Sequence, residues 1–308
     1  MTGETRMELS IVVAAYNSGG AIEATIEAAE RSIAHLNGEV IVVDNGSTDD
    51  TNAQARRVIT RGRVVRLDPN IGYGRAINEG ARRAQGDLLL IMNDDILLSR
   101  ECVDRMIEAF RDETTTGMVG AKIVDRVSHE LPSFRRHLPG WRDEFDRLLS
   151  LILRRDIRHV LPANQEDAVD VGLVLAACAL TSRELFCSMG GFNRIFFLYG
   201  EDIDFCRRLE QAGLRRRLVT NAVAIHDQEI SPERRPRGRQ FMERIVMARD
   251  NYYRIWLSRP SRMALNAYRA FGFSDQPSRF KFHASRVLTG GSSLASLRRP
   301  APLTPTRD

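Results

Sequence analysis

The sequence predicts an α/β fold: a mostly parallel central sheet flanked by helices, with a helical C-terminal extension. Continuous apolar runs without polar alternation, LSIVVAA (9–15), EVIVV (39–43) and LLLIM (88–92), read as strands buried on both faces. Stretches with apolar residues at helical spacing separate them. Each run also ends in a polar cluster, and open parallel sheets bind ligands at the carboxyl ends of their strands.

Taken in order, strand 9–15 is followed by a turn, Tyr16-Asn17-Ser18-Gly19-Gly20. A helix over 21–36 follows, with Ile22, Ile26, Ala29, Ile33 and Leu36 on its apolar face. Strand 39–43 ends at Asp44-Asn45-Gly46-Ser47; 63–67 is a third strand and 74–84 another helix. Strand 88–92 runs into Asn93-Asp94-Asp95, where two adjacent carboxylates need a rim position or a cation, because burying them unpaired is costly. Helix 101–111 and strand 117–124 come next. Residues 128–166 change character to an Arg-rich, proline-punctuated insert in which Phe145, Leu148, Leu149, Ile152 and Leu153 share a helical face. The regular pattern resumes with a strand over 169–180 and a helix from Ser182. YGEDIDFCRRLEQAG reads as a helix stopped at Gly213. LRRRLVTNAVAIH supplies one or two strands, 231–239 a loop and 241–257 a strong helix. The boundaries expected are a main domain over 1–228, a helical extension over 229–289 and a disordered tail over 290–308.

With 308 residues, 43% hydrophobic and 28% charged, the chain can bury a full core and has an ordinary soluble composition. Its formal charge of +5 is uneven: nine Arg and Lys from 259 onward face only Asp275 and Asp308, which leaves the first 258 residues near −2. A near-neutral body with only Lys122 and Lys281 as lysines weighs against nucleic acid as a partner. Cys102, Cys178, Cys187 and Cys206 show no metal-ligand spacing and read as buried, reduced thiols of a cytoplasmic protein. The N-terminus lacks a signal-peptide pattern, and the longest apolar run, 171–180, is half of the roughly 20 residues a membrane span needs.

Two acidic clusters carry the chemistry, Asp94-Asp95 and Glu201-Asp202-Ile203-Asp204, and His226 follows the apolar stretch AVAI. Carboxylates and an imidazole from different strand ends suit a divalent ion that would hold a diphosphate. Set against this, a di-acid after a strand is more often a helix cap or a solvated turn, and Glu201 opening a helix complements its dipole. GYGRAINEG (72–80) is no dinucleotide fingerprint, because position 77 is Ile and the stretch follows a loop. No Ser or Cys triad is legible.

Four motifs, VVAAYN (12–17), VVDNGSTDDT (42–51), NIGYGRAINEGARRAQGDLLLIMNDD (70–95) and GGFNRIFFLYGEDIDFCRRLEQAG (190–213), together resemble the inverting glycosyltransferases of family 2. The family has the GT-A fold, and the last two motifs resemble its rhamnosyltransferase branch, which decorates bacterial cell-surface glycans. The likeness covers roughly 8–228. It implies nucleotide contacts from Ala14, Tyr16, Asn17, Asp44 and Asn70, with Asn93 or Asp94 at the ribose. It implies a Mn2+ or Mg2+ ion on Asp95 and His226, Asp202 as general base, and Glu201 and Asp204 as supporting acids. The implied donor is a nucleotide-diphosphate sugar, dTDP-rhamnose, and the acceptor a glycan or polyprenyl-linked saccharide in cell-wall polysaccharide synthesis. This sequence departs from the family in having Asn93 as the first residue of the acidic motif and GGFNR where GGFDE is commoner, which puts contacts near Asn193 and Arg194 in question.

A galactofuranosyl or hexosyl transferase using a UDP-sugar remains open, as does a non-catalytic nucleotide-binding scaffold of the same fold. A pyrophosphorylase is set aside because AAYNSGGAIEA lacks the basic residue its phosphate loop needs. The insert and tail place apolar stripes beside Arg clusters. That suits peripheral contact with an anionic membrane on its cytoplasmic face, or packing on the domain or in a homo-oligomer.

Overall fold

A computed structural model describes residues 6–143, 149, 167–227, 239–272, 294–298 and 300–306. Its first half is a βα repeat: β1 (Leu9–Ala15), α1 (Ile22–Ser32), β2 (Gly38–Asn45), α2 (Thr51–Val58), β3 (Gly62–Leu67), α3 (Tyr73–Arg83) and β4 (Leu88–Asn93). β1 pairs in parallel with both β2 and β4, and β2 with β3. The chain therefore winds outward to β3 and returns to the far side of β1. This makes the crevice between the ends of β1 and β4 a topological switch point.

The second half completes one mixed sheet from β5 (Ile96–Leu97), β6 (Thr116–Val124), β11 (Cys178–Ser182) and β12 (Arg215–His226), in the order β3-β2-β1-β4-β11-β6-β12-β5. β11 runs antiparallel to β4 and β6, whereas β12 runs parallel to β6. α4 (Arg100–Arg111), N-capped by Ser99 accepting from the Cys102 amide, packs with α1 on one face around Ile11, Val13, Val42 and Leu90. α3 and the helix Glu201–Gln211 cover the other face around Val12, Ile41, Ile91 and Phe205. Side chains alternate between these two cores, which is why the strands show no polar period.

Three expectations are corrected. The run 169–180 is not one strand but β9 (Ala168–Asp170), β10 (Leu173–Val174) and the start of β11. The Val171 amide still bonds Arg216 on β12, but Leu175 bonds Ser133 instead, so the chain leaves one partner for another at Gly172. There a Cβ would stand 2.7 Å from the His137 backbone. The helix α2 was not anticipated; it is only eight residues long and largely polar. The tail expected to be disordered from 290 is ordered where described. Residues 295–298 form a 3₁₀ turn and Leu303 is buried against the body.

The helix Arg239–Trp256 closes a third apolar cluster of Phe196, Ala248, Tyr252, Tyr253, Ile255, Trp256 and Leu265. Of the insert, β7 (Glu130–Leu131) pairs with β6, and β8 (Phe134–Arg135) with β10. Phe145, Leu148, Ile152 and Leu153 and the loop 231–238 lie outside the described residues.

Candidate active site

The rim at the ends of β1, β2 and β4 is a hydrogen-bonded scaffold. Asp94, 8% exposed, accepts at Oδ2 from the Tyr16 amide at 3.2 Å and from the Ser18 hydroxyl, and its carbonyl accepts from Thr25 Oγ1 at 2.9 Å. Asp94 thus ties the turn after β1 to the end of β4, where the sequence placed it at the ribose. Asn17 sits at φ +52°, its Oδ1 accepting from the Thr48 amide at 2.8 Å. Asp44, wholly buried, accepts from the Ser47 amide at 3.0 Å and from Arg66 Nη1 at 2.9 Å. Asn45 donates to Asn70 Oδ1 at 3.1 Å, and the same oxygen accepts from the Gly72 amide at 2.9 Å. Ala14 lies opposite Asn93 in the β1–β4 register, and Tyr16 is exposed beyond it. The residues singled out for nucleotide binding therefore line one edge.

Beside them, His226 Nε2 stands 2.9 Å from Asp95 Oδ2. Asp95 Oδ1 is buried and lacks a hydrogen-bond partner, and the Asp95 carbonyl accepts from the Asp227 amide at 2.8 Å. A carboxylate with an unsatisfied oxygen next to an imidazole is the oxygen-and-nitrogen donor pair that Mn2+ or Mg2+ accepts. The residues fit such an ion as two of its ligands; among the described residues no group of three His, Cys, Asp or Glu is placed to hold it alone. Asp227, fully buried, is gripped through both carboxylate oxygens by Arg126, a support the sequence did not reveal.

The second acidic cluster opens the helix Glu201–Gln211, after Gly200 in a left-handed conformation at φ +92°. Glu201 is 4% exposed and its Oε2 has no partner. Burial first, then the neighbouring Asp202 charge, pushes the Glu201 carboxyl up to about 8. Asp202 is half-buried, accepts from the Ile203 amide at 2.7 Å, and is also raised by desolvation.

Tyr73, at the start of α3, joins the two clusters. Its hydroxyl donates to the Ala176 carbonyl at 2.7 Å. Burial, then the charges of Glu201, Asp202, Asp94 and Asp95, hold that hydroxyl well above the usual tyrosine range, so it stays a proton donor. The Asn93 amide donates to the adjoining Ala177 carbonyl at 3.0 Å, so the two clusters meet across the Ala176-Ala177 backbone at the crevice between β1 and β4. Gly72 makes this possible: at φ +92°, a Cβ there would stand 2.4 Å from the Phe197 carbonyl, which accepts from the Tyr73 amide. The sequence showed Tyr73 only as part of a rejected fingerprint; no local signal announces where its hydroxyl points.

Asp204 is placed elsewhere. Fully buried, it accepts from Arg208 Nε at 3.0 Å and from Trp256 Nε1 at 2.8 Å, on the side of the helix packed against Arg239–Trp256. It anchors the fold and lies outside the cleft as a supporting acid.

Comparison with known proteins identifies the family and the fold. A profile for glycosyl transferase family 2 matches residues 10–186. The chain is 26% identical over 248 residues to the N-acetylglucosaminyl-diphospho-decaprenol L-rhamnosyltransferase of Mycobacterium tuberculosis, covering 74% of this chain and 78% of the relative. It is 24% identical over 233 residues to the low-salt glycan biosynthesis hexosyltransferase Agl10 of Haloferax volcanii, covering 74% and 69%. Among solved structures, GalNAc-T7 with UDP, GalNAc and Mn2+ superposes with a TM-score of 0.62 at 14% identity, over 96% of this chain and 55% of that one. The mannosyltransferase PcManGT of Pyrobaculum calidifontis, in complex with GDP-Man and Mn2+, gives 0.51 at 20% identity, over 96% and 70%. At these identities the structural likeness speaks for the fold.

Proposed function

We propose a reaction on one established premise: this chain belongs to glycosyl transferase family 2 and has the GT-A fold. The reaction is the inverting transfer of L-rhamnose from dTDP-rhamnose to a hydroxyl of a polyprenyl-linked saccharide in cell-surface polysaccharide synthesis. The observation that carries it is that Tyr73 and the end of β4 bond the adjoining Ala176 and Ala177 carbonyls, which brings the Asp94-Asp95 pair, for a leaving diphosphate, beside the Glu201-Asp202 pair, for a base.

Asp202 takes the proton of the acceptor hydroxyl as its oxygen attacks the anomeric carbon from the face opposite the leaving group. Burial raises the Asp202 carboxyl above its ordinary range, which strengthens it as a base, and Glu201, raised to about 8, keeps its proton at neutral pH. Ala14, Tyr16, Asn17, Asp44, Asn70 and Asn93 hold the nucleoside, on a rim that Asp94 ties together. Asp95 and His226 would hold a divalent ion, which supplies neutralisation of the leaving diphosphate.

Rhamnose and a polyprenyl-linked acceptor are supported by the activity of the mycobacterial relative, and a hexose by that of the hexosyltransferase Agl10. No helix among the described residues is long and apolar enough to cross a membrane. Contact with a cytoplasmic leaflet rests on the Arg-rich insert and tail, and failure to float with anionic liposomes would remove it.

The test is thermal stabilisation by dTDP, UDP and GDP sugars with and without Mn2+, on the wild type and on Asp95→Ala. Stabilisation by dTDP-rhamnose that requires both the ion and Asp95 is expected; preference for a UDP-sugar would select the hexosyl alternative. Asp202→Asn is expected to bind the same donor while transfer falls roughly a hundredfold or more. No stabilisation by any nucleotide would overturn the transferase reading.

A further inference from the structure

Residues 294–298 and 300–306 lie outside the sheet yet are bonded to the body. The Leu294 amide donates to the Arg254 carbonyl at 2.9 Å, and Arg298 Nε donates to the Ile255 carbonyl at 2.7 Å. Farther along, the Leu303 amide donates to the Cys187 carbonyl at 2.8 Å. Arg82 Nε donates to the Thr304 carbonyl, and the Thr306 amide to the Arg82 carbonyl, each at 3.0 Å. This path crosses the Gly190-Gly191 turn, where both glycines have positive φ. A Cβ on Gly190 would stand 2.6 Å from the Ala301 carbonyl, and one on Gly191 2.6 Å from Leu303 Cδ1. The glycine pair supplies both the turn and the room for the segment.

Asn193, two residues on, joins the segment to Asp204. It is 3% exposed, its Nδ2 donates to the Leu297 carbonyl at 2.8 Å, and its amide also bonds the Asp204 carboxylate. From Asp204 the network continues through Arg208 to the Met189 carbonyl at 2.7 Å and the Gly191 carbonyl at 2.6 Å. A carboxylate at 193 could not donate to Leu297 and would set a second negative charge beside Asp204. The amide therefore matters chemically in this chain. Past Asn193 the loop gives its Phe197 carbonyl to the Tyr73 amide, then enters Gly200, Glu201 and Asp202.

We propose that Asn193 is a positioning residue: through Leu297 and Asp204 it clamps residues 294–298 and 300–306 onto the 190–200 loop and so sets the Asp202 carboxylate against the rest of the cleft. Its catalytic consequence rests on Asp202 being the base; the clamp itself does not.

The experiment uses the full-length chain, Asn193→Asp and the milder Arg82→Ala, which loosens the far end of the segment. Three quantities are read: hydrogen exchange of the 190–200 amides, affinity for dTDP with Mn2+, and kcat with its pH profile. In Asn193→Asp, exchange in the loop should rise about tenfold or more while the β1–β4 amides stay protected. Transfer should fall roughly tenfold to hundredfold, as expected for a small misplacement, with dTDP affinity within about twofold and the Asp202 limb of the pH profile displaced. Arg82→Ala should move the same quantities less far, and decides the matter if Asn193→Asp does not fold. Unchanged loop exchange in both variants would overturn the clamp. Raised exchange with unchanged kcat and pH profile, or dTDP affinity falling in step with kcat, would overturn the positioning role. Should Asp202→Asn keep full transfer, the base assignment and the positioning role fall together, while loop exchange still decides the clamp.

Discussion

At the scale of single residues, the cleft is governed by which carboxylates are satisfied. Asp44, Asp94, Asp204 and Asp227 are buried, and each is bonded to the protein itself. Asp95 Oδ1 and Glu201 Oε2 are buried without partners. For Glu201 the outcome is a proton held in the folded state up to about 8, against an ordinary 4.5. Below the ordinary value both folded and unfolded chains carry that proton; above it the unfolded chain releases it first, so stability falls as pH rises through the folded pKa. Glu201→Gln should remove this slope. Urea midpoints compared between about pH 5 and about pH 8 should decline in the wild type and decline less in the variant; equal slopes would show that Glu201 ionises normally. Tyr73 illustrates what single-residue reading misses, because its environment comes from acids more than a hundred residues apart in the chain.

At the scale of elements, the packing of α3 on the sheet brings Tyr73 to the cleft. Gly80 allows the helix to lie close: a Cβ there would stand 2.3 Å from Val12 Cγ1 and 3.1 Å from Val43 Cγ2. Gly80→Ala sets a helix-propensity gain of about 1 kcal/mol against an overpacking cost of about 1–3 kcal/mol. Because Val12 is fixed in a fully buried strand, the cost should win. A net loss of stability in chemical denaturation is expected, and a net gain would mean that α3 can move outward freely. Apart from α2, the helices and strands of the first half were legible because their apolar periods stand out along the chain. β9 and β10, at three and two residues, carry no period at all. Their existence depends on Arg217–Val219 of β12 and Phe134–Arg135 of β8 offering partners from distant parts of the chain.

At the scale of the whole molecule, the C-terminal helices, the 294–306 segment and the sheet are one structure joined at Asp204. Trp256→Phe would keep the ring in its cluster and remove only the indole donor to Asp204 Oδ1, leaving a buried carboxylate one bond short. A loss of about 1–3 kcal/mol is expected in a single cooperative urea transition. An unaltered midpoint would show that apolar packing alone couples the two parts. What the sequence by itself determined was the α/β class, the strands that end at the cleft, the family, and Asp95, His226 and Asp202 as residues of interest. These follow from apolar periodicity and from motifs contiguous along the chain. Only the tertiary structure decided that Asp204 is an anchor, that Asp94 ties the rim, that Tyr73 spans both acid pairs and that the tail is bound. Each of those outcomes depends on which distant group meets a buried polar atom, and hydrogen-bond partners brought together by folding leave no local pattern in the chain.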